Sequence, residues 1–124
     1  MRERAKELKT NAKAEEAAAA VAEKIGELTG LDKKVAEALD AIVREHAPNL
    51  TPKTYYGMPG YAKDGKVLVF YQAAAKFDTR YGTVGFQDTS SIDDGSMFPV
   101  AFGFTDLTDA DVTTLTALVK KAAQ

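Results

Sequence analysis

The chain reads as an α+β domain: an antiparallel sheet of about four strands, preceded by two helices and followed by one, with the helices on one face of the sheet. Three observations predict this. Apolar residues recur at three- and four-residue steps over residues 14–46 and again over residues 112–122, the spacing of a buried helix face. Every Phe and Tyr lies between Tyr55 and Phe104, in short runs rich in strand-forming residues. Turn and cap signals then separate these runs: Thr29-Gly30, Pro48, Asp64-Gly65 and Thr108-Asp109.

Residues 1–13 carry five basic and two acidic side chains and one large apolar residue, Leu8. They are set apart as a basic N-terminal arm, either frayed helix or mobile, and the domain proper is residues 14–124. Ala14, Ala17, Val21, Ile25 and Leu28 share one helical face, while Glu16, Glu23 and Glu27 share the opposite one. Asp32 is read as the N-cap of a second helix. Its buried stripe would be Val35, Leu39, Ile42 and His46, ended by Pro48. Strands are expected at 54–56, 61–63, 66–72, 81–87 and 98–104, the first two being parts of one interrupted strand. Asp64-Gly65 closes a tight hairpin. In 66–72 strict alternation would put Val67, Val69 and Tyr71 on one face and Leu68 and Phe70 on the other. A short helical turn is expected over 88–95. The closing helix opens with Thr108-x-x-Asp111, a capping-box variant, and ends with Lys120 and Lys121 where the helix dipole favours cations.

Composition removes most common chemistries. The chain has 124 residues, no Cys, no Trp, one His and a formal charge of −2. No thiolate site, disulfide or two-histidine metal motif can be built. No run approaches the ~18 apolar residues of a membrane span. No charged-then-apolar leader opens the chain, which predicts a cytoplasmic protein. There is no nucleophile elbow and no phosphate-binding glycine loop. His46 reads as a structural residue at a helix end. A non-enzymatic protein is therefore expected.

Two features remain for binding. The Gly57-Met58-Pro59-Gly60 segment, flanked by tyrosines, is read as a pocket wall, with Tyr56, Met58, Tyr61 and Phe70 as ligand-binding candidates for a small molecule or a protein partner. Charge is also segregated: residues 53–80 hold five basic and two acidic side chains, and residues 81–119 hold six Asp and no base. Asp106, Asp109 and Asp111 suit the start of the last helix. Asp88, Asp93 and Asp94 are left as an oxygen-ligand site for a hard metal ion, with Glu16, Glu23 and Glu27 as the alternative cluster. Lysines interleaved with aromatics on strands raise a nucleic-acid reading. The acidic total and the lack of an RNA-binding signature make nucleic acid an unexpected partner.

The string PNLTPKTYYGMPGYAKDGKVLVFYQ (residues 48–72), with YGTVGF and MFPVAFGFTDLTDADVTTLTALVKKA after it, resembles the YdhG-like domain family of small bacterial proteins. The resemblance runs from about Leu31 to Ala123. It implies a fold similar to the frataxin-like helix–sheet–helix sandwich. One branch of that family is described as a frataxin-like iron chaperone, so the resemblance also implies carboxylate binding of iron. No cofactor is otherwise required.

Overall fold

A computed structural model describes the backbone of residues 2–124 and the side chains of residues 12–124. The basic arm read at residues 1–13 thus lies, up to residue 11, outside the described side chains. Two helices come first, α1 (Arg2–Gly26) and α2 (Gly30–His46). The sheet strands are β1 (Thr51–Pro52), β2 (Gly60–Lys63), β3 (Lys66–Gln72), β4 (Gly82–Phe86) and β5 (Ala101–Phe104). A one-turn helix, α3 (Ala74–Phe77), lies between β3 and β4, and α4 (Asp109–Ala122) closes the chain. The sheet is an antiparallel meander in the order β1-β2-β3-β4-β5. The α+β expectation holds, with five strands and a fourth helix. Among the described residues no helix is long and apolar enough to cross a membrane.

The amphipathic stripes meet one face of the sheet. Val21 and Ile25 of α1, Val35 and Leu39 of α2, and Leu115 and Val119 of α4 are buried against Val69, Tyr71 and Val84. Their β-branched and leucine side chains fill a close-packed interior from three helices at once. His46 departs from expectation. It is exposed at the C-terminus of α2, with Nε2 3.7 Å from the Glu45 carboxylate, because the chain turns away after one more buried residue, Ala47.

Two tight turns shape the near side of the sheet. Asp64 and Gly65, with φ of 51° and 82°, join β2 to β3 as the Asp-Gly signal predicts. A second turn of the same kind was not expected. Tyr56 and Gly57 have φ of 48° and 78°, and the Tyr55 and Met58 amides and carbonyls bond reciprocally at 2.9 Å. The strand expected at 54–56 is therefore a hairpin tip. The edge strand sits earlier, at Thr51–Pro52, where Pro52 is tolerated because edge positions need fewer donors.

Alternation along β3 is broken by a bulge. Val69 pairs with Tyr61 and Val67 pairs with Ala62, leaving Leu68 without a partner on β2. The extra residue turns Leu68 into the core beside Val69 and Tyr71, all three fully buried, while Val67 and Phe70 are half-buried on the other face.

The expected helical turn at 88–95 is irregular chain instead. The unexpected α3 forms over an alanine run, Ala73-Ala74-Ala75, and stops at Asp78 in the left-handed conformation, φ 52°. The capping box of α4 is present in both halves: Asp111 N–H donates to Thr108 Oγ1 (3.1 Å) and Thr108 N–H donates to Asp111 Oδ2 (2.9 Å).

Candidate functional site

A buried polar cluster lies where the end of α1, the start of α2 and the Gly57-Met58-Pro59 segment converge. Its centre is Asp32, which is 7 % exposed. Asp32 is not the N-cap of α2. That position is Thr29, in extended conformation and making no side-chain cap bond. Asp32 instead reaches across to the start of α3. Its Oδ1 accepts from the Ala74 N–H (2.8 Å) and the Tyr71 hydroxyl (2.7 Å), and its Oδ2 accepts from the Ala75 N–H (3.1 Å). The residue type suits capping, but the helix end it caps lies some forty residues along the chain.

Burial disfavours the Asp32 anion, but the bonds from Tyr71, Ala74 and Ala75 together outweigh it and hold the carboxyl below its ordinary value. For Tyr71, burial first and the Asp32 anion second push the phenol well above its ordinary value. The two groups are thus driven apart, one firmly ionised and one firmly protonated. Neither is poised to exchange a proton near neutral pH, which general acid–base catalysis requires. The arrangement fixes geometry and presents a buried negative charge. It also requires Gly82. A Cβ there would collide with the Tyr71 hydroxyl and stand 2.7 Å from Cζ and 3.1 Å from Asp32 Oδ1.

A recess of about 260 Å³ opens beside this cluster. Leu28, Met58, Pro59 and Ala73 give it an apolar wall, Asp32 and Tyr71 form its floor, and Lys24 and Lys76 stand at its edge. Lys24 is 3.6 Å from the exposed Glu27 carboxylate, a solvated pair worth little energetically. The Lys76 ammonium approaches the Gly57 carbonyl at 3.5 Å, so the cation and the turn border the same opening.

The residues singled out from the sequence are dispersed. Met58 is buried in the recess wall. Tyr56 stands at the tip of its turn, 85 % exposed. Tyr61 is a core residue whose hydroxyl donates to Asp40 Oδ1 at 2.8 Å, zipping β2 to α2 as Tyr71 zips β3 to it. Burial and the Asp40 carboxylate push its phenol far upward. Phe70 lies on the sheet face opposite the helices, 4.9 Å from Tyr55. The four residues are thus sent to three places: Met58 to the recess wall, Tyr61 to the core, and Tyr56 and Phe70 to either side of Tyr55.

Asp88 and Asp93 border a separate recess of about 360 Å³, mainly apolar and lined by Phe86, Ile92, Phe98 and Val100, which Asp94 does not line. The Ser90 hydroxyl in its wall is buried without a hydrogen-bond partner. Glu16, Glu23 and Glu27 are exposed along α1. Among the described residues no three His, Asp or Glu side chains gather closely enough to hold a metal ion. Sequence reasoning missed Asp32, Tyr71, Ala75 and Gly82 as a group. The only local sign was a strand Tyr-Gln followed by an alanine run that starts a helix without a capping side chain of its own. Comparison with known protein families, with curated proteins and with solved structures finds no match to this chain, so the site is read from its own geometry.

Proposed function

We propose that this chain is a YdhG-like, non-enzymatic binding domain for a small organic molecule seated beside Gly57-Met58-Pro59. The observation that carries the reading is the recess of about 260 Å³ with an apolar wall and the fixed Asp32 charge at its floor. Small-molecule sites take this form, a concave and mostly apolar surface with a few placed polar groups. Lys24 and Lys76 at the edge and Asp32 within favour a ligand with an apolar body and polar ends of both signs, about the size of an amino acid. The order of two helices, antiparallel meander and closing helix supports the YdhG-like reading of the fold, and its likeness to the frataxin sandwich. The separation of the Asp32 and Tyr71 titrations supports binding over catalysis.

The test is a thermal-shift screen of small polar metabolites against the protein and its Ala75→Phe variant. Ala75 is exposed in the recess wall, so the larger side chain fills the opening without entering the core. A ligand at one hundred times its Kd adds about 2.7 kcal/mol to stability. The expected result is a stabilising ligand whose effect disappears in Ala75→Phe. A ligand that stabilises both proteins equally would place binding elsewhere and refute the proposal.

A further inference from the structure

The sheet face turned away from α1, α2 and α4 carries a second surface, unrelated to the recess. Two of its strands place a glycine under an aromatic ring. Phe70 lies over Gly85, its Cζ 2.5 Å from where a Cβ would stand. The Tyr81 ring lies over Gly103, with Cδ2 2.8 Å from the corresponding point. Tyr55 lies against Gly60, its Cβ 3.4 Å away. Glycine at 85 and 103 leaves free the space over the backbone that the Phe70 and Tyr81 rings occupy. The rings also join: Tyr55 is 4.7 Å from Tyr56 and 4.9 Å from Phe70. From β2, beside Tyr55, to β5, beneath Tyr81, is three strand spacings, about 14 Å.

Cations accompany the rings. Lys53 and Lys66 line a groove of about 430 Å³ with Tyr55, Tyr56 and Val67, where Asp88 is the one carboxylate among the lining residues. The Arg80 guanidinium sits 5.2 Å from the centre of the Tyr81 ring. Over whole segments the charges nearly balance: residues 2–47 hold ten carboxylates against nine Lys and Arg, and residues 48–108 hold six against five. The sheet face is basic only locally, where Lys53, Lys66 and Arg80 stand beside the rings.

We propose that this open face binds single-stranded RNA. Stacking rings on an open antiparallel sheet, flanked by Lys and Arg, match what an unpaired strand offers, base faces and phosphates. RNA is chosen because its bases are ordinarily unpaired in loops and ends, and the span across the sheet accommodates two or three of them. Tyr56 supports this choice. A bulky residue at φ 48° is strained, yet it is held there almost fully exposed beside the other rings.

The test titrates a fluorescein-labelled, unstructured ten-nucleotide RNA with the full chain and follows anisotropy as salt is varied. Binding is expected in the micromolar range, weakening with salt and at least tenfold weaker for the duplex form. Tyr56→Ala is expected to weaken binding at least fivefold, the loss of one stacked base. Lys66→Glu should weaken binding and flatten its salt dependence, since one phosphate contact is lost. Both residues are exposed, so an unchanged melting curve shows that each variant folds. Ala75→Phe should leave RNA binding intact, which separates this proposal from the recess. No binding at 200 µM protein, equal binding of oligo-glutamate, equal binding of the same sequence as DNA, or indifference to Tyr56→Ala would each overturn it.

Discussion

Replacing Asp32 by Ala removes an ionised acceptor from three donors at 2.7, 2.8 and 3.1 Å. A hydrogen bond to a charged group contributes about 1.5–3 kcal/mol. The simple sum overshoots, because the desolvation cost of the buried carboxylate is recovered and water reaches the start of α3. The Tyr71 hydroxyl stays buried without a partner, which offsets part of that recovery. A loss of about 4 kcal/mol is expected, a large share of the stability of a small domain. With an unfolding entropy of about 2.1 cal/mol/K per residue, that lowers Tm by about 15 °C. Urea denaturation of the parent chain, Asp32→Ala, Tyr71→Phe and the double variant measures it, and the cycle isolates the Tyr71–Asp32 coupling, expected at about 1.5–3 kcal/mol. The pH dependence has a definite sign. The folded carboxyl titrates below its unfolded value of about 3.9, so its contribution is present above that value and lost as pH falls through the folded one. Asp32→Ala should therefore flatten the acid limb of the stability profile. A loss under about 1 kcal/mol, additive behaviour with Tyr71→Phe, or an unchanged acid limb would refute the reasoning.

Two further outcomes are expected. The Tyr61 and Tyr71 phenols both titrate above their ordinary value when folded. Their contribution is intact below the unfolded value of about 10 and is lost as pH rises through the folded ones. Absorbance at 295 nm should thus show two of the five tyrosines ionising only together with the loss of circular dichroism at 222 nm, and their ionisation in the folded chain would contradict this. Gly82→Ala should cost about 3 kcal/mol by displacing the Tyr71 ring. Its cost should shrink in a Tyr71→Phe background, where the hydroxyl clash is gone; an equal cost in both backgrounds would point to a backbone effect instead.

Local signals were legible where the interacting residues are neighbours in the chain. Thr108 and Asp111 are three residues apart and form the capping box that their spacing predicts. Asp64-Gly65 makes its turn because both φ values are decided within the dipeptide. Asp32 shows the limit. A carboxylate at a helix start announces a capping function, but only the fold brings Ala74 and Ala75 to it in place of the amides of its own helix. Leu68 shows another. Alternation assigns it to the open face, and a bulge set by pairing with β2 turns it inward. Tyr56, Met58, Tyr61 and Phe70 looked like one surface, but Met58 turns into the recess wall and Tyr61 into the core, leaving only Tyr56 and Phe70 together beside Tyr55.

The order of strands in space repeats their order along the chain. Each pairing can therefore form as soon as its two strands exist, and loop closure costs little for β2–β3, which needs only the two residues Asp64-Gly65. The exception is β4–β5, whose connection runs from Gln87 to Val100. The β2–β3 hairpin is the natural place for folding to begin. The β5 edge and α4, which docks on α2, are expected to arrive last. Under native-state hydrogen exchange the β5 amides should open ahead of those of β3. An aromatic platform that extends to Gly103 on β5 would then be complete only after the final strand has joined.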